Sequence, residues 1–87
     1  MLDLKNLQNK MEGVVSKNPE VLNGTAVFDG TRVPIKNLFD YLESGETISK
    51  FLEDFPSVDK QNVNKILVFA EEVFSATISD KNWFKNN

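Results

Sequence analysis

The sequence contains no cysteine and no histidine. Without cysteine there are no disulfides, no thiolate nucleophile and no cysteine-based zinc site. Without histidine, the commonest general base and the commonest metal ligand are both missing. These absences argue against an enzyme and against a bound metal or cofactor; paired carboxylates or an activated Lys, Ser or Thr are the only chemistry left. Long apolar runs are missing too. No stretch approaches the roughly 18–20 apolar residues of a membrane span. The opening MLDLKNLQNK is too charged, and its apolar run too short, to be expected to act as a signal peptide. The expected location is therefore cytoplasmic, with no membrane partner. Excess positive charge is also lacking. Ten Lys and Arg face 13 Asp and Glu, a net charge of −3, which is opposite in sign to a protein whose main task is to coat nucleic acid.

The 87 residues suffice for a single domain, 1–87, with a thin core. Seven Phe and one Trp are many for this length, so some are expected on a partner surface. The chain divides into an N-terminal helix (1–12), strands and a β hairpin (13–34), a three-helix bundle (35–76) and a tail (77–87). In the first segment Asp3 is placed to cap a helix, Leu2 and Leu7 to staple its entry, and Leu4, Leu7 and Met11 to form its stripe. Val14 and Val15 suit a short strand whose edge another copy of the chain could pair with. Asn18-Pro19 and Asn23-Gly24 are turn signals.

Residues 28–34 read FDGTRVP. Asp29-Gly30 between short arms at 26–28 and 31–33 predicts a two-residue hairpin of type I′, with Gly30 supplying positive φ. Pro34 then suits a helix entry. From there the period changes. Ile35, Leu38, Phe39 and Leu42 form one helical face, stopped by Gly45. Thr47 caps a second helix with Ile48, Phe51, Leu52 and Phe55, ended by Pro56. Asp59 caps a longer third helix, 59–74, with Val58 and Val63 as a staple. Its stripe is Val63, Ile66, Leu67, Ala70 and Phe74, and fraying is expected near 75–77. A short helix, a tight turn and a longer helix make a helix-turn-helix outline. The predicted fold is mainly α: a three-helix, helix-turn-helix bundle behind a short helix and a small hairpin.

The stretch from Asn18 to Leu67 resembles the bacterial family called domain of unknown function 433. Pro19, Gly24, Gly30, Thr31, Arg32, Pro34, Gly45, Phe55 and Pro56 occupy the positions of its motif, and the likeness covers roughly 18–70. Ala26 stands where the family usually has proline, and Asn23 where glycine is common. The resemblance implies a homeodomain-like helix-turn-helix fold. It also implies an antitoxin-like role: binding a partner toxin similar to a PIN-type ribonuclease, and repressing the shared operon through DNA. A helix-turn-helix regulator without a toxin, or a dimerisation module, are the alternatives.

Candidate site residues follow from chemistry. Thr31 and Arg32 either brace the turn, with Arg32 paired to a nearby carboxylate, or contact a phosphate or partner carboxylate. For DNA, the start of the third helix offers Lys60, Gln61, Asn64 and Lys65, whose side chains suit base edges and phosphate; Lys50 and Arg32 are positioned to join them, and a homodimer would double the set. Glu43, Glu46, Glu53, Asp54, Glu71 and Glu72 read as a solvated acidic surface. Trp83 and Phe84 are candidates for partner contact, or for folding back over Phe69 or Phe74.

Overall fold

A computed structural model describes residues 3–78. The Leu2 staple, the side chain of Leu4, and Trp83 and Phe84 lie outside the described residues. The order is α1 (Leu4–Lys10), β1 (Val15–Ser16), a tight turn at Leu22–Gly24, β2 (Val27–Phe28), α2 (Ile35–Glu43), α3 (Ile48–Asp54) and α4 (Lys60–Thr77). The protein is mainly helical, with one small antiparallel sheet.

Local chemistry sets these boundaries. Asp3 accepts a hydrogen bond from Asn6 N at 3.3 Å, Thr47 from Lys50 N at 3.0 Å and Asp59 from Gln61 N at 2.8 Å, so each caps its helix. At the end of α2, Glu46 N donates to Tyr41 O (2.9 Å) and Gly45 N to Leu42 O (3.1 Å). These two bonds form a Schellman closure, which needs the φ of +89° that Gly45 adopts. α4 runs three residues beyond the expected end and stays helical through Thr77, whose hydroxyl donates to Val73 O. In the turn at Leu22–Gly24, Leu22, Asn23 and Gly24 all have positive φ, 48°, 57° and 82°. The hand is therefore left, a conformation that suits Asn and Gly and costs Leu.

The hairpin differs from its prediction. A two-residue loop would pair Phe28 with Thr31. Instead Phe28 N donates to Val33 O (2.9 Å), Ile35 N to Ala26 O (3.0 Å), and Val27 bridges to Pro34. The loop thus holds four residues, 29–32. Among the residues around it only Gly30 has positive φ (+76°), whereas a type I′ turn needs Asp29 there as well. The pairing moves by two residues, so each side chain keeps its face. On its other side β2 pairs with β1, Val15 against Phe28 and Ser16 against Val27, which places β2 in the middle.

Val14, Phe28, Leu38, Phe51, Val58, Val63 and Ile66 form the core. Phe51 lies at its centre, in ring contact with Phe28, Tyr41 and Phe55 at 5.7, 5.3 and 5.0 Å. Each such side chain contributes about 1.5–3 kcal/mol by leaving water. The staple pair Val58 and Val63 is buried as expected. Phe74 is not: it is 62% exposed. α4 meets the core through its first half, while past Leu67 its apolar side is only half-buried at Phe69, Ala70 and Val73 and exposed at Phe74.

Candidate functional site

Three places carry the candidate residues. The first is the 29–32 loop. Thr31 Oγ1 donates to Phe28 O (2.8 Å) and accepts from Val33 N (3.0 Å), while Thr31 N donates to Phe28 O (3.0 Å). The Thr31 hydroxyl is therefore spent inside the loop, closing the ladder that the longer turn leaves open. Arg32, one residue on, is exposed. Among the described residues it makes no ion pair and no side-chain hydrogen bond, so the carboxylate partner that a purely bracing role requires is absent. The loop is internally fastened and presents a guanidinium to solvent.

The second place is the start of α4. Lys60, Gln61, Asn64 and Lys65 are all exposed, and they follow α3 across a short turn closed by Val58 N on Phe55 O. Lys50 stands apart on α3, where its ammonium lies 3.1 Å from Asp54. Its charge is therefore already met within its own helix. No hydrogen bond or ion pair among the described residues joins Arg32 or Lys50 to the α4 group.

The third place was not read from the sequence. An open apolar groove of about 580 Å³ runs between the second half of α4 and the sheet with the start of α2. Phe69, Val73 and Phe74 form one wall; Val15, Ile35 and Phe39 form the other. Among the described residues no charged side chain lines it. Its volume falls within the roughly 300–1,000 Å³ of binding clefts. Nothing in the local spacing signals it, because it depends on how far α4 extends past its neighbours.

Tyr41 was also missed. Its ring packs edge-on against Phe51 and Phe55, and its hydroxyl donates to Asp54 Oδ2 at 2.6 Å. First the Tyr41 hydroxyl, then Lys50, hold the Asp54 carboxyl below its ordinary 3.8. Bonding to the same carboxylate raises Tyr41 above 10.0. Ionised Asp54 therefore favours the fold above pH 3.8, and this support fades as pH falls through the lowered value. Support from neutral Tyr41 is present below pH 10 and is lost as pH climbs through the raised one. Tyr41→Phe keeps the ring contacts and removes the bond. Its melting temperature at neutral pH should stay within a few degrees of wild type, while the Asp54 carboxyl, followed by NMR titration, should move up toward 3.8. An unmoved Asp54 would show that the bond does not form in solution.

Among the described residues no group of Asp and Glu is arranged to hold a metal ion, and no helix is long and apolar enough to cross a membrane. Residues 15–70 match the profile of a family described as "Protein of unknown function (DUF433)". The chain belongs to this family. It is also similar to "Uncharacterized protein y4eO" of Sinorhizobium fredii (strain NBRC 101917 / NGR234), 33% identical over 58 residues, which are 67% of this chain and 26% of that protein. The match thus spans about a quarter of that relative's length. No solved structure matches. The GTRVP loop, both of its hairpin arms and the first half of α4 all lie within the family segment.

Proposed function

We propose that this family member is a non-enzymatic, antitoxin-like binding protein. In this reading it works as a homodimer in the cytoplasm and engages a partner toxin of the PIN-type ribonuclease class. The observation that carries the reading is the loop at 29–32. Its threonine is consumed by two internal hydrogen bonds, and its arginine is left exposed with no carboxylate partner among the described residues. A guanidinium on a fastened loop loses little freedom when it forms a forked pair with a carboxylate. An acidic nuclease site supplies that carboxylate. Co-expression of the tagged chain with the product of the adjacent reading frame tests this. Capture of that protein together with rescue of growth supports the reading; no complex and no rescue removes it.

One observation favours a second reading, DNA binding in a helix-turn-helix manner. Lys60, Gln61, Asn64 and Lys65 are exposed together on the first two turns of the longer helix, the part that such proteins place in the major groove. A mobility-shift series on the chain's own promoter at rising salt decides it. A retarded band that weakens with salt supports operator binding, and none at low salt excludes it.

A further inference from the structure

We propose that the apolar groove is the docking site for this chain's own residues 79–87, with Trp83 seated between the second half of α4 and the start of α2. That segment lies outside the described residues, and its place is inferred from the groove and from the sequence. The inference stands apart from the toxin, DNA and homodimer readings above.

Three observations select this occupant. The first is continuity. Thr77 and Ile78, the last two described residues, line the groove, and Ile78 is half-buried. Residue 79 therefore starts at the groove's mouth. The second is reach. Trp83 follows Ile78 by five residues, at most about 17 Å of extended chain. The stretch of α4 from Thr77 back to Ala70 measures only about 10 Å. Ser79, Asp80 and Asn82 are residue types that favour turns, so a chain that reverses after Ile78 still brings residue 83 back alongside Phe74. The third is composition. Residues 79–87 read SDKNWFKNN, an aromatic pair inside an otherwise polar and charged segment. The groove is its counterpart: the lining is apolar, with no charged side chain among the described residues, and Phe74 on its rim is 62% exposed. A large aromatic side chain that leaves water there takes about 150–250 Å² of surface with it. A second copy or a foreign helix has to arrive from solution. A segment joined to the groove by so short a tether meets it at an effective concentration on the order of millimolar. A weak apolar contact is filled at that concentration and left empty by a free partner at micromolar levels.

Fluorescence of the full chain tests the proposal, because Trp83 is its single tryptophan. The expected emission is blue-shifted from that of the urea-unfolded chain, shielded from acrylamide, and the same at every protein concentration. Phe74→Glu places a carboxylate on the rim. It should shift the emission to the red and open Trp83 to acrylamide, with an unchanged circular dichroism spectrum, since Phe74 is exposed. Val68→Glu is the control. Val68 is also on α4 and 58% exposed, but it is not among the residues that line the groove, so its variant should leave Trp83 shielded. Trp83→Ala should admit an apolar dye to the groove and brighten it. Emission from the folded wild-type chain that matches the unfolded chain would overturn the proposal, as would an equal red shift in both glutamate variants. A blue shift that appears only as concentration rises, together with the mass of a dimer, would give the groove to a second copy instead.

Discussion

Phe51→Ala is expected to unfold the domain at 37 °C, not merely to loosen it. Phe51 is wholly buried and touches three other rings from β2, α2 and the end of α3. Removing a buried phenylalanine costs about 3–5 kcal/mol, because the lost transfer energy is joined by a cavity that rigid neighbours do not fill. Folded domains retain only about 5–15 kcal/mol, and one this short sits low in that range. With a melting temperature that shifts by about 4–8 °C per kcal/mol, the fall is tens of degrees. Thermal unfolding followed by circular dichroism measures it. A melting temperature within a few degrees of wild type would mean that α2 and α3 do not meet around this ring.

The second large effect separates two neighbours in the GTRVP motif. Thr31→Val preserves shape but removes the hydroxyl that bonds Phe28 O and Val33 N. Two part-buried hydrogen bonds at about 0.5–1.5 kcal/mol each set the loss at roughly 1–3 kcal/mol. Arg32→Ala removes an exposed side chain with no partner among the described residues, so stability should change by less than about 0.5 kcal/mol. Partner binding should respond in the opposite order. Arg32→Ala is expected to lower affinity by about 2 kcal/mol or more, as truncation of a forked charge pair does, and Arg32→Lys should not restore it fully. Thr31→Val should retain most of its affinity below its melting temperature. Paired denaturation and binding curves on both variants give the answer. Strong destabilisation by Arg32→Ala with binding intact would return this arginine to a bracing role.

Much of the helical layout was legible because its signals are local. Thr47 and Asp59 announce caps, Gly45 a left-handed stop, and Pro56 an end, each within a turn of the place it acts. The core stripe from Leu38 through Phe51 to Ile66 follows from the 3.6-residue period for the same reason. Distant competition decided the rest. Asp29-Gly30 favours a two-residue hairpin taken alone, yet the Thr31 hydroxyl and the pairing of Ala26 with Ile35 select the longer loop. Phe74 fits the periodic stripe of α4, but periodicity does not report how far the rest of the molecule extends beneath it. The candidate residues were readable as chemical types. That Thr31 is internally spent, that Lys50 is paired with Asp54, and that Arg32 has neither fate among the described residues follow from the three-dimensional packing and not from local spacing.

The uneven support of α4 has a kinetic consequence. Amides in its first half are tied to the buried Val63 and Ile66 and should exchange with solvent only when the whole domain opens. Amides after Ala70 depend on a ladder whose apolar side has little beneath it, so they can open in short excursions that leave the core closed. Residues 71–77 are therefore expected to open as a separate unit, and hydrogen exchange should show it: filling the groove should slow exchange there while the rest of the helix stays unchanged.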